Sequence, residues 1–151
     1  MKKKKILIVV SRYNKLITKG LEKTAIDHLS QHSGFEKYLT EAPGAFEIPF
    51  IIEKYIKKYD GVIALGCIIK GETNNFELIS QSVTDALINL SIRHKKPVGM
   101  VSLHVLMTNK LVIEKKRGQK LLQLLLIFLM GLLPLSWIKC LRKKIRTHCL
   151  G

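Results

Sequence analysis

Three features of the chain predict an α/β domain in which helices cover both faces of a parallel sheet, a three-layer α/β/α sandwich. Short, continuous apolar runs such as "ILIVV" (residues 6–10) and "VIALGCII" (residues 62–69) read as strands buried on both faces. Segments with apolar residues at helical spacing lie between them. The two kinds alternate as β-α-β-α-β-α-β with short connections, the order of a parallel sheet.

Taken in order, the run at residues 6–10 ends in the polar turn "SRYN". A helix follows, marked by Leu16 or Ile17, Leu21, Ala25 and Leu29, with Thr18 or Asn14 as its N-cap and "SQHSG" as its end. A strand is expected over residues 37–41, then a turn forced by Pro43 and Gly44. Pro49 suits the first turn of the second helix, whose inner face carries Ile48, Ile51, Ile52, Tyr55 and Ile56. "YDGVIALGCIIKG" is the clearest strand. From Asn75, the spacing of Phe76, Ile79, Val83, Leu87 and Leu90 predicts a third helix closing on the basic "RHKKP", and "PVGMV" a further strand.

Length and charge narrow the class. The 151 residues suit one domain. The 26 Lys+Arg against 11 Asp+Glu would ordinarily point to an anionic polymer or a membrane surface. However, residues 1–99 hold 16 basic and 10 acidic side chains, and residues 100–151 hold 10 and 1. With most of the excess in the last third, nucleic acid is not the expected partner. The five apolar residues after "KKKK" are too few for a signal peptide, and three cysteines without CxxC spacing fit free thiols in a reducing compartment. The expected location is the cytoplasm.

Ligands of such sheets bind beyond the carboxyl ends of the strands, so the informative loops are "SRYN", "APGAFE" and "KGETNNF". Tyr13 can offer an aromatic face to a planar ring and Asn14 a two-way amide, or the tyrosine can cap the core edge. Glu47, at a helix start, can accept hydrogen bonds from a polyol or act as a cap. Gly71 and Thr73 lie between a strand and a helix N-terminus, where backbone amides favour an anion such as phosphate; an ordinary turn capped by Thr73 has the same pattern.

Together "SRYN", "APGAFEIP" and "ALGCIIKGETNNFELISQSVTDAL" closely resemble the 6,7-dimethyl-8-ribityllumazine synthase family over roughly residues 5–99. The resemblance implies a flavodoxin-like fold and a homo-oligomer, a pentamer or a larger shell. It implies a transferase of riboflavin biosynthesis that condenses 5-amino-6-(D-ribitylamino)uracil with 3,4-dihydroxy-2-butanone 4-phosphate and uses no metal or organic cofactor. Carried over by motif, Tyr13 stacks on the pyrimidine with Asn14 beside it, and Ala45, Phe46 and Glu47 hold the ribityl chain. The backbone of Cys67, Ile68 and Ile69 reads the pyrimidine edge, while Gly71, Glu72 and Thr73 hold the phosphate. Met100 falls in a segment that the family contributes to a neighbouring subunit's site.

Two departures stand out. The family's proton-transfer histidine is here Asn75, which can orient a group but cannot exchange a proton near neutral pH. After "KPVG" the motifs stop, and no Gln-Ala-x-x-Arg segment supplies the phosphate-binding arginine. Read one base out of register, codons compatible with residues 100–114 can spell N-G-V-T-S-C-F-N-D-K-Q-A-R-D-R, similar to the family's continuation. Residues from about 100 onward therefore read as an out-of-frame translation, which the nucleotide sequence tests. The uncharged stretch at residues 121–138 is then out-of-frame sequence; a buried helix and a tail anchor are the other readings. The alternative function is that of a catalytically impaired descendant, a ribityl-pyrimidine-binding or shell-forming protein.

Overall fold

The computed structural model of the protein describes residues 3–70 and 75–106. The elements are β1 (Lys4–Ser11), α1 (Lys15–Ser30), β2 (Phe35–Ala42), α2 (Ile48–Tyr55) with a 3-10 turn over Ile56–Lys58, β3 (Gly61–Lys70), α3 (Asn75–His94) and β4 (Val98–Leu106). All pairings are parallel and the sheet order is β2-β1-β3-β4. The α/β character and the alternation are as the sequence predicts.

The continuous apolar runs occupy the middle of the sheet because their alternate side chains serve two different layers. Ile6, Ile8 and Val10 join Ile63, Leu65, Cys67 and Val101 beneath Leu21, Ala25 and Leu29 of α1. Leu7 and Val9 join Val62, Ala64 and Ile68 beneath Ile48 and Ile52 of α2 and Val83, Leu87 and Leu90 of α3. Each fully buried aliphatic side chain contributes about 1.5–3 kcal/mol relative to its exposed state. Edge strand β2, "FEKYLTEA", is mostly exposed, which is why its sequence carries no comparable run.

Several local expectations are refined. Ile17, not Leu16, packs on the core; Leu16 is 94% exposed. Thr18 lies inside α1 and is buried, so it is not the cap. Asn14 holds the N-cap position in a left-handed conformation (φ 60°), and its side chain makes no capping bond because it turns toward β3 instead. β2 extends beyond residues 37–41 at both ends, and β4 runs past "PVGMV" to Leu106.

The "RHKKP" stop works through backbone and charge together. Lys95 adopts φ 51°, which lets its N–H reach Ile92 O (3.3 Å) and that of Lys96 reach Ser91 O (3.2 Å), closing the last turn of α3. The Lys96 ammonium then donates to the carbonyls of Ile56 (2.9 Å), Lys57 (3.0 Å) and Tyr59 (2.6 Å), at the end of α2 and its 3-10 turn. Lys96→Met keeps the stem and removes all three bonds. It is expected to lower the unfolding free energy by about 2 kcal/mol, measurable by urea denaturation.

No helix among the described residues is long and apolar enough to cross a membrane, and none of their His, Cys, Asp and Glu side chains groups in threes as a metal site. Cys67 is buried and is not part of a disulfide. The stretch at residues 121–138, Cys140 and Cys149 lie outside the described residues.

Candidate functional site

The connections leaving β1 and β3 pass to opposite layers, α1 on one face and α3 on the other. Divergence of this kind opens a crevice at the carboxyl ends of the two strands, the position where open α/β sheets bind ligands. The β1–β3 ladder pairs residues 6–10 with 61–65 and goes no further, whereas β3 continues to Lys70 alongside β4. The N–H of Val62 is directed to β4, bonding Pro97 O at 2.9 Å. Since backbone groups alternate sides along a strand, those of Cys67 and Ile69 turn toward the crevice and those of Ile68 toward β4.

One wall is the "SRYN" turn. The N–H of Arg12 donates to Ala42 O (2.8 Å), extending the contact of β1 with β2. Tyr13 stands 69% exposed, so it does not cap the core edge. The carbonyl of Asn14 accepts the N–H groups of Ile17 (3.0 Å) and Thr18 (3.1 Å), starting α1. Its side-chain Nδ2 reaches Cys67 O at 3.5 Å, a long bond that ties the turn to the end of β3. The thiol of Cys67 is buried on the α1 side, leaving its backbone as the part that meets the turn.

The opposite wall is the loop entering α2. A Cβ on Gly66 would lie 3.6 Å from both Ala45 Cβ and Ile48 Cδ1, so this loop rests directly on β3. Ala45 is buried by that contact and fixes the loop, while Phe46 is 64% exposed and Glu47 is exposed beside it. Glu47 sits at the N-cap position of α2 without a side-chain capping bond. Its carboxylate folds back over Gly44, where a Cβ would come within 2.8 Å of Oε2. The carboxylate is thus presented by the loop rather than used as a cap.

The turn of Tyr13 and Asn14 thus meets the end of β3 at Cys67, and the loop of Ala45, Phe46 and Glu47 meets it at Gly66, whereas Ile68 packs into the α2 layer. Met100 does not join them within the chain. It pairs with Ala64, three residues or about 10 Å before Cys67 along β3, and its sulfur lies 3.9 Å from Thr84 Oγ1 of α3. Gly71, Glu72 and Thr73 lie outside the described residues; Asn75 is the first residue of α3.

Arg12 is the participant that motif reading passed over. Its guanidinium bonds Glu22 of α1 (2.8 Å) and Glu41 of β2. The bonds to Glu41 and then Glu22 raise the arginine above its already high range, and Arg12 in turn lowers the Glu41 carboxyl. With both carboxylates engaged, Arg12 is not a substitute for a phosphate-binding arginine. Its partners lie 10 and 29 positions away, so no local pattern announces the arrangement.

Residues 3–120 match the family of 6,7-dimethyl-8-ribityllumazine synthase, a match that runs past "KPVG". Among curated relatives so named, that of Helicobacter acinonychis is 42% identical over 99 residues, covering 63% of this chain and 64% of the relative. That of Pyrococcus furiosus is 41% identical over 95 residues (62% and 60%), and that of Sulfurimonas denitrificans 41% over 100 residues (64% and 65%). The chain thus spans less than two thirds of the length of these relatives. Fold, strand-end loops and sequence similarity agree: the chain belongs to the 6,7-dimethyl-8-ribityllumazine synthase family.

Proposed function

We propose that the protein is a transferase of riboflavin biosynthesis, joining 5-amino-6-(D-ribitylamino)uracil to 3,4-dihydroxy-2-butanone 4-phosphate to give 6,7-dimethyl-8-ribityllumazine. The observation that carries this reading is the crevice beyond Val10 and Leu65. Two loops meet the end of β3 there: that of the exposed Tyr13, tied to Cys67 O through Asn14, and that of Glu47, resting on Gly66 through Ala45. A planar ring with hydrogen-bonding edges and a polyol tail fits this set: the ring lies on Tyr13 beside Asn14, its edge on β3, and its hydroxyls against Ala45, Phe46 and Glu47.

The substrate phosphate is assigned to Gly71, Glu72 and Thr73, which precede α3 in the sequence, since a helix N-terminus favours an anion. The pyrimidine amine attacks the ketone carbonyl and water leaves to form an imine. Loss of the C3 proton and of phosphate then leaves an enol, which tautomerises to a carbonyl at C3; the ribityl-bearing nitrogen attacks that carbonyl, and ring closure releases another water. With Asn75 where the family has histidine, this chain's contribution is mainly to hold two reactants in register, which alone lowers a bimolecular barrier substantially. No residue in the proposal calls for a metal or an organic cofactor.

Assembly belongs to the same proposal: a homo-oligomer, specifically a pentamer or a shell of pentamers, acting in the cytoplasm. Large apolar side chains stand exposed at Phe46 and Phe50 on the α2 side and at Leu78, Ile88 and Ile92 along one side of α3, more than a lone subunit would be expected to leave in water. Met100 is assigned to a neighbouring copy's site, consistent with its distance from the crevice of its own chain.

The test is to mix the full chain with both substrates and follow lumazine absorbance and fluorescence. Formation faster than in the protein-free mixture is the expected result. A rate equal to the protein-free one, with a ribityl-pyrimidine analogue still bound, would leave only a binding protein. Glu47→Gln is expected to raise KM for the ribityl substrate about tenfold, through loss of charge-assisted bonds to its hydroxyls.

A further inference from the structure

Resting on that reading, we propose that Arg12 is a positioning residue for pyrimidine binding, bracing the "SRYN" turn between α1 and β2 so that the Tyr13 ring is held across the crevice. Among the described residues Tyr13 has no hydrogen bond and no ring contact, and 69% of it is exposed. With no hydrogen bond or ring partner among the described residues to orient it, the ring depends on the backbone on either side.

On one side Asn14 is anchored to β3 through Cys67 O and to α1 through its own carbonyl. Its amide contact, at 3.5 Å, is long. On the other side Arg12 makes three contacts in three directions: its N–H to Ala42 O, one guanidinium nitrogen to Glu22 and the other to Glu41. The side chains of Arg12 and Glu22 are only 18% and 19% exposed, so that pair is screened less than a surface pair. A planar guanidinium engaging two carboxylates fixes direction as well as distance, which a lysine ammonium cannot do. Three residues connect β1 to α1, too few to absorb a rotation at Arg12 without moving the ring that follows it.

An alternative is that the same ion pairs only hold α1 against β2. The two roles differ in what they do to the two substrates, because the ring meets the pyrimidine and not the butanone phosphate. In the full chain, Arg12→Ala is expected to raise KM for the ribitylaminouracil about tenfold while KM for the butanone phosphate and kcat stay within about twofold. Arg12→Lys should recover part of the loss. Glu22→Gln and Glu41→Gln, which keep side-chain shape, should reproduce it in smaller measure if Arg12→Ala does not fold. Binding of the fluorescent lumazine product to the same variants gives a second readout, with Kd rising in step with the pyrimidine KM.

Parallel changes in both KM values, or no change in either at unaltered melting temperature, would overturn the positioning role while leaving the proposed reaction intact. A parent chain that neither accelerates the condensation nor binds the lumazine would overturn the reaction, and the Arg12 proposal with it.

Discussion

Asn75→His is expected to raise kcat for the condensation by about 10²-fold, with KM for the pyrimidine nearly unchanged. Imine formation, elimination and ring closure each move protons, and a positioned group with a pKa near neutrality makes such transfers faster. Asparagine orients but does not titrate. Residue 75 opens α3 two positions after Thr73, to which the proposal assigns the phosphate, so the sequence brings an imidazole introduced there close to the leaving group's loop. Steady-state kinetics of the two proteins, each against the protein-free rate, measure the effect. An unchanged kcat would mean that the chain gains its rate from approximation alone.

Ile8→Ala is expected to lower the unfolding free energy by about 4 kcal/mol, a large part of what a domain of this size ordinarily has. Ile8 is fully buried, in register with Leu39 of β2 on one side and Ile63 of β3 on the other. Its backbone is locked by both neighbours, so the space left by the missing methyl and ethyl groups cannot close by a shift of the strand. The denaturant midpoint should fall with an unchanged slope. A loss below about 1 kcal/mol would show that the α1 layer collapses inward to fill the gap.

How far each element could be foreseen follows from where its stabilising contacts lie. β1 and β3 were plain because burial on both faces requires an unbroken apolar run, and α1, α2 and α3 because their inward faces repeat at helical spacing. β2 is legible only in its middle, residues 37–41: its "FEKYLTEA" is held by pairing to β1, which constrains backbone rather than side chains. The loops that carry Tyr13, Asn14, Ala45 and Glu47 are legible as candidates because strand ends and tight turns have local signatures. The grip of Lys96 on three carbonyls and of Arg12 on two carboxylates had none, since each joins residues tens of positions apart or on different layers. The left-handed turn at Asn14 was also hidden, because an asparagine before a helix suggests a cap and only the nearness of Cys67 draws its amide away.

The closing turn of α3 also decides where the following strand begins. Ser91, Lys95 and Lys96 fix the direction in which the chain leaves the helix, and the bond from Val62 to Pro97 sets the first rung that β4 shares with β3. All of these residues precede Met100. Substitutions from residue 100 onward can therefore change the side chains that β4 displays without moving its starting point, much as a loom keeps its first thread whatever pattern is woven after it.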